Sequence, residues 1–222
     1  MIGGNAMILA AGRGERLRPL TDDLPKPLIE VGGKPVIAWH LENLAAAGFK
    51  LVVINLSWLG QKVKDVLGDG RSFGLEIRYS DEGDTALETG GGIFKALPLL
   101  GRRPFVVING DVFSDYPLAN LSLDNDRLAH LVLVPNPPHN PSGDFGLRGK
   151  DVESAGELYT FSGIAAYDPE IFSECRGGIF PLAPVLRAAI DLGRVSGELW
   201  PGNWHDIGTQ QRLTALQKEL AD

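Results

Sequence analysis

Met7 to Leu28, reading M-I-L-A-A-G-R-G-E-R-L-R-P-L-T-D-D-L-P-K-P-L, is the stretch on which the fold turns. Its first five residues are apolar without interruption, the pattern of a parallel strand buried on both faces, and the run stops at Gly12. A loop follows. Gly12 and Gly14 carry no side chain where a backbone must approach a ligand, so peptide N–H groups can point at phosphate oxygens. Arg13, Arg16, Arg18 and Lys26 put four cations into fourteen residues against Glu15, Asp22 and Asp23, a local positive excess in a chain whose net charge is −7. A P-loop would need G-x-x-x-x-G-K-[ST], which is absent, and a dinucleotide fingerprint would need a third Gly where Leu17 stands. A plain Gly-rich turn followed by exposed arginines is the bland alternative.

The bulk figures bound the rest. With 222 residues and 44% hydrophobic content, the chain fits one sizeable α/β domain. Its pI near 5.1 argues against nucleic acid or an anionic membrane as a partner. Cys175 is the only cysteine, which excludes an intramolecular disulfide and a Cys-based metal site and makes a reducing cytoplasm the expected compartment. No apolar run approaches the roughly 20 residues of a membrane span, and the N-terminus lacks the pattern of an export signal. Ile2 to Ala6 reads as a flexible lead-in ahead of the first strand.

Strand and helix signals alternate through the first half. Pro35 to Ala47 has helical spacing and stops at Gly48; Leu51 to Leu56 is a buried strand; Gln61 to Leu67 is a short helix; Leu75 to Tyr79 alternates like a strand with one wet face. Gly92 to Leu100 reads as a helix and Phe105 to Ile108 as a buried strand. This rhythm implies right-handed crossovers, a mostly parallel sheet and ligands at the carboxyl ends of its strands. The second half is less regular: a strand at Leu131 to Val134, a Pro/Asn/Gly loop at Pro135 to Gly143, a β-rich run at Tyr159 to Tyr167, and helices at Pro184 to Leu192 and Thr209 to Leu220. No hexapeptide repeat occurs.

Asp111 follows the buried run F-V-V-I-N-G and therefore stands just past a strand's carboxyl end, where a carboxylate either meets a ligand or caps a turn. Three consecutive glycines, Gly90 to Gly92, open a helix, although glycine costs about 1 kcal/mol against Ala in a helix interior. They predict close packing against a flat group or another backbone, with a simple hinge as the alternative. His40, His130, His139 and His205 have no ligand spacing to one another and read as structural or surface groups. His205, beside Asp206, is the one closest to a candidate site residue.

The opening stretch resembles the sugar-1-phosphate nucleotidylyltransferases, whose L-x-x-G-x-G-x-R-L-x-P-L-T followed by P-K-P is carried here by Leu9, Gly12, Gly14, Arg16, Leu17, Pro19, Leu20, Thr21 and Pro25 to Pro27. Asp206, in N-W-H-D-I-G-T, matches that family's W-x-D-x-G-T element. Together with N-L-S-W-L-G, L-E-T-G-G-G-I-F-K-A-L-P-L-L-G, N-G-D-V-F-S-D-Y, G-D-F-G-L and T-F-S-G-I, the chain resembles most the N-acetylmuramate-1-phosphate uridylyltransferases of peptidoglycan recycling.

The resemblance implies a three-layer, Rossmann-like (GT-A-like) nucleotidyltransferase fold with a mixed, mostly parallel central sheet. It would form one domain over 1–222, with a nucleotide-binding half at about 7–112 and a sugar-binding half at about 113–222. It further implies UTP and a sugar 1-phosphate as substrates and Mg²⁺ as cofactor; no nucleic-acid or membrane partner is expected from the acidic composition, and the oligomeric state is open, with a monomer the expectation. Arg16, Lys26 and Asp111 would be catalytic. Ala11, Gly12, Gly14, Glu15, Arg16, Lys26, Gly83, Gly91 and Asn109 would bind the nucleotide, and Asp144, Glu157 and Ser162 the sugar. Asp111 and Asp206 would hold the metal between them. The E-K-P element that often grips the sugar phosphate in the wider family is missing. Candidates for a carboxylate on the sugar are Arg148, Lys150 and Arg176. Glucose, mannose or N-acetylglucosamine 1-phosphate, phosphocholine with CTP, and a non-catalytic nucleotide-sugar sensor are alternatives. An NAD-dependent oxidoreductase is disfavoured by the incomplete fingerprint.

Overall fold

The computed structural model describes residues 4–220. In chain order its elements are β1 (Asn5–Leu9), α1 (Leu20–Asp23), β2 (Glu30–Val31), β3 (Lys34–Pro35), α2 (Val36–Ala46), β4 (Leu51–Leu56), α3 (Gly60–Leu67) and β5 (Glu76–Asp81). Then come α4 (Glu88–Leu100), β6 (Phe105–Asn109), β7 (Val112–Ser114), β8 (Ala129–Val134), β9 (Phe145–Arg148), β10 (Asp151–Glu153) and β11 (Leu158–Tyr167). The chain closes with α5 (Ala183–Asp191), β12 (Val195–Leu199), β13 (Trp204–Asp206) and α6 (Gln210–Glu219).

One sheet runs through both halves in the order β5-β4-β1-β6-β11-β8-β12-β10-β9. From β5 to β6 every pairing is parallel, as the alternating strands and helices predict. Beyond β6, β11 enters antiparallel and only β8 with β12 is again parallel, so the sheet is mixed. The apolar runs of β1, β4 and β6 point alternate residues to opposite faces. Ala6, Ile8, Val52, Ile54, Val106 and Ile108 join Ile37, Leu41 and Leu44 of α2, whereas Met7, Val53, Phe105 and Val107 join Ile93, Ala96 and Leu100 of α4. Helices thus cover both faces and make the expected three layers. Among the described residues no helix is long and apolar enough to cross a membrane.

The lead-in reading of Ile2 to Ala6 is corrected for its last residues. Asn5 and Ala6 are the first residues of β1, pairing with Leu51 and Val52, and the Asn5 side chain donates to the Leu100 carbonyl at 2.7 Å. That hydrogen bond lets a polar residue open a buried strand; Ile2 and Gly3 lie outside the described residues. Helix α4 begins at Glu88, four residues before its expected start, so the three glycines lie inside it. A Cβ on Gly90 would stand 2.6 Å from the Phe180 ring, one on Gly91 2.2 Å from the Gly178 carbonyl and one on Gly92 2.6 Å from Glu82. Close packing, not a hinge, is their reason.

His40 on α2 is buried and feels the charge of Asp111. Its Nε2 has no hydrogen-bond partner among the described residues and its imidazole is hydrogen-bonded to the Val112 backbone. Burial lowers its pKa from 6.5 to about 4, against the opposing pull of Asp111 and the Val112 backbone. The unfolded chain then binds a proton between these values that the folded chain refuses, so stability falls as pH drops from 6.5 towards 4. At pH 5 this amounts to about 2 kcal/mol relative to neutral pH. Urea unfolding at pH 7.5 and pH 5 is expected to show that His40→Leu loses about that much less than wild type; equal losses would place the acid sensitivity elsewhere.

Candidate active site

The site lies at the carboxyl edge of β1, β4 and β6, where the strand order places it. Here a cavity of about 240 Å³ is lined by Ala10, Ala11 and Gly12 after β1, Lys26 and Pro27, Asn55 and Glu82, Ala86, Glu88 and Thr89, and Asn109 to Asp111 after β6. This is just below the roughly 300–1,000 Å³ of common ligand pockets.

The loop is braced from outside. Gly14 has φ +72°, and the Thr21 hydroxyl donates to its carbonyl at 2.9 Å. Trp58 Nε1 donates to the Thr21 carbonyl at 3.1 Å, and the Arg13 guanidinium sits 4.2 Å from the centre of the Trp58 ring. Arg13 and Arg18 both pair with Glu15, which therefore faces its neighbours on the surface, and Arg18 also holds Asp22. Arg16 makes no ion pair among the described residues and is exposed. A Cβ at Gly12 would meet no protein atom within 4 Å. The loop thus offers one uncommitted guanidinium and an open backbone to an anion.

Beneath the cavity lies a network the motifs did not single out. Asn55 accepts the Ala10 N–H at 2.7 Å and donates to Glu82 at 2.7 Å, and Glu82 accepts the Leu87 N–H at 2.7 Å. Both side chains are buried. The network locks the turn after β1 to the turn before α4, so two cavity walls cannot separate without stranding a buried carboxylate. A polar Asn inside the apolar run L-V-V-I-N-L was the signal that could have revealed it.

The two aspartates expected to bind metal come from distant parts of the chain and are brought side by side by backbone pairing. β13 lies antiparallel on β7 with Asp206 opposite Val112, and the Ile207 N–H donates to the Asp111 carbonyl at 2.7 Å. Lys26 forms an ion pair with Asp111. Asp206 receives Arg212 Nη1 at 2.8 Å on each oxygen and lies 3.1 Å from His139 Nε2. Among the described residues no group of three or more His, Cys, Asp or Glu side chains gathers as a metal site. Two carboxylates are hard oxygen donors, and they fit Mg²⁺, which retains waters and takes phosphate oxygens as further ligands. His205, next to Asp206 in sequence, turns its Nε2 to Glu219; His139, from the Pro/Asn loop and read from sequence as a structural or surface group, is the histidine that reaches Asp206. The arginine of W-H-D-I-G-T-Q-Q-R was not singled out by the motif either.

Other expected residues are placed differently. Gly91 donates its N–H to the Phe180 carbonyl at 3.0 Å and does not line the cavity. Gly83 sits in the turn after β5, its N–H held by Asp81 and its carbonyl by Ser57. Asp144 accepts the Phe161 N–H at 2.8 Å and contacts Asn140, so one carboxylate oxygen is committed to the fold. Ser162 is buried at a bulge in β11, its hydroxyl accepting the Ile164 N–H and its carbonyl accepting Trp204 Nε1. Glu157 is exposed just before β11. Of the candidates for a sugar carboxylate, Arg148 pairs with Glu153 on an edge hairpin, Lys150 is in that hairpin's turn, and Arg176 is exposed on the segment packed against α4.

The family model described as Nucleotidyl transferase matches residues 5–162. A Neisseria meningitidis serogroup B protein named N-acetylmuramate alpha-1-phosphate uridylyltransferase is 51% identical over 96% of this chain and 96% of its own. A Caulobacter vibrioides protein of the same name is 34% identical over 98% of this chain and 97% of its own. A Bacillus anthracis crystal structure assigned as a glucose-1-phosphate thymidylyltransferase superposes with a TM-score of 0.86 at 22% identity, over 98% of this chain and 95% of that one, and shows the fold. The Gly12–Gly14 loop, the strand-end Asp111 and the parallel strands β1, β4, β5 and β6 lie within the residues the family model matches, and the relatives match along nearly the whole chain: the chain belongs to the nucleotidyl transferase family.

Proposed function

We propose that this chain transfers UMP from UTP to N-acetylmuramate α-1-phosphate in peptidoglycan recycling, releasing pyrophosphate and forming UDP-N-acetylmuramate with Mg²⁺ as cofactor. The observation that carries the substrate is identity of 51% along almost the whole of both chains to a relative of that name. The geometry supports the chemistry independently, through the loop, the cavity and the paired aspartates on one sheet edge.

In this reading the uracil and ribose occupy the cavity against Ala10 and Ala11, with Asn109 and the Gly83 turn around them, and Gly91 acts by seating α4. The triphosphate extends along Gly12, Gly14 and Arg16, with Glu15 orienting the loop's arginines. A phosphate oxygen of the sugar 1-phosphate attacks the α-phosphorus in line. The new P–O bond forms as the bond to the β-phosphate oxygen breaks, and the electron pair leaves with pyrophosphate. Lys26 exchanges Asp111 for the α-phosphate and neutralises its equatorial oxygens, and Arg16 holds the leaving pyrophosphate, so positioning and charge do the work without a protein nucleophile. Asp111 and Asp206 would hold the Mg²⁺, which would supply Lewis-acid stabilisation of the α-phosphate. The sugar lies over the second half of the sheet, where Asp144 has a carboxylate oxygen outside its backbone contact, Ser162 can still donate its hydroxyl proton, and Glu157 stands at the rim.

Pyrophosphate release with UTP and Mg²⁺ tests the substrate directly. N-acetylmuramate 1-phosphate is expected to exceed N-acetylglucosamine 1-phosphate, which lacks only the lactyl ether, by about 10-fold or more in kcat/KM, about 1.4 kcal/mol of transition-state discrimination. Equal or reversed rates would reject the muramate substrate while leaving nucleotidyl transfer in place. Arg16→Ala is expected to lower turnover by about 10²-fold, the scale of removing one preorganised donor. Activity within a few-fold of wild type would remove Arg16 from the mechanism.

A further inference from the structure

We propose that Arg212 is a positioning residue that closes Asp206 to a free divalent cation, so that the metal enters the site only with the triphosphate. This rests on the reading above that Asp111 and Asp206 hold the metal. Arg212 Nη1 covers both Asp206 oxygens at 2.8 Å, while His139 Nε2 stands 3.1 Å from one of them. Lys26 occupies Asp111 in the same way. Both carboxylates are therefore already compensated by protein cations.

A third cation stands next to the two that pair with the aspartates. Arg16 Nη2 and Arg212 Nη2 lie 3.2 Å and 2.0 Å from the point where a Gly208 Cβ would be, so the two guanidinium ends are within about 5 Å of each other. Lys26 and Arg212 are held on the two aspartates and Arg16 stands beside Arg212, three cations around two carboxylates. A bare divalent ion meets net repulsion there, whereas a metal–triphosphate complex brings the negative charge that three cations can receive.

Nothing else in the local structure explains Arg212. It sits in the first turn of α6, where the helix dipole disfavours a cation, and its buried Nε has no partner among the described residues. Its contacts are thus dictated by Asp206. His139 is fixed as well, because its loop is pinned to β11: Asn136 accepts the Thr160 hydroxyl at 2.9 Å, and Asn140 donates to Thr160 and Asp144.

The test is Mn²⁺ binding to the nucleotide-free protein, read from the electron paramagnetic resonance signal of unbound Mn²⁺, alongside pyrophosphate release with MgUTP. Wild type is expected to bind free Mn²⁺ weakly. Arg212→Met is expected to bind it about tenfold tighter or more while transferring more slowly, because one repelling charge within a few ångströms is gone. Arg212→Lys should keep the weak binding, and Arg212→Met combined with Asp206→Asn should abolish the gain. A merely structural arginine would make metal binding weaker, not tighter, when removed. Should Arg212→Met unfold, as judged by thermal denaturation, Arg212→Gln undergoes the same titration. No gain in Mn²⁺ affinity, with Asp206→Asn still inactive, overturns the role of Arg212 and leaves the metal reading standing. Full transfer activity in Asp206→Asn overturns the metal reading and this proposal with it.

Discussion

The site depends on one short piece of backbone pairing. The ribbon of β7 with β13, closed by the hydrogen bond from Ile207 N–H to the Asp111 carbonyl, joins the end of the parallel half of the sheet to the last segment of the chain. Asp111 and Asp206 lie 95 positions apart in the sequence and become neighbours only through it. Helix α6 secures the ribbon from behind, since Leu213 and Leu216 pack with Ile207 against Leu17 of the phosphate loop and Ile29 and Val31. Loop, strand-end carboxylate and C-terminal carboxylate are thus tied by one apolar cluster. Anything that loosens it moves all three together, which matters because reacting groups misplaced by an ångström lose much of their effect.

Charge is the second constraint. The chain is strongly acidic overall, yet its site gathers Arg16, Lys26 and Arg212 about two aspartates. The contrast matches a ligand that is itself highly anionic. Arg13 and Arg18 are drawn off by Glu15, Asp22 and the Trp58 ring, which leaves Arg16 as the loop arginine free to turn inward. Four cations in the loop therefore do not act as one patch. Arg13 and Arg18 are held by neighbouring side chains, and Arg16 and Lys26 are left to face the ligand.

The parallel half of the fold was legible because its strands are buried on both faces and bounded by glycines: the expected strand Leu51 to Leu56 is β4, and Phe105 to Ile108 is β6 but for one residue. The second half was less so. The pairs β9–β10 and β7–β13 are three to four residues long, too short for a period to show, and the latter exists only because distant segments meet. In the candidate site, the residues that a contiguous motif carries, Gly12, Gly14, Arg16, Lys26 and Asp111, could be named from the sequence as candidates. Residues whose role is a long-range contact were not: Asn55 and Glu82 act through each other, and His139 and Arg212 act through Asp206. Gly91 shows the converse. Its glycine character was correctly tied to close packing, but the partner is the carbonyl of Gly178, which no local pattern announces.

In the proposed reading Asp111 and Asp206 meet at one metal–nucleotide site beside the Gly12–Gly14 loop. A crystal structure of the protein with Mn²⁺ and a non-hydrolysable UTP analogue, with anomalous scattering used to locate the metal, tests it most directly. One anomalous peak within coordination distance of both carboxylates and of a phosphate oxygen, with the uracil against Ala10 and Ala11, is the predicted result. A metal held away from Asp206, or a nucleotide bound outside this cavity, would contradict it.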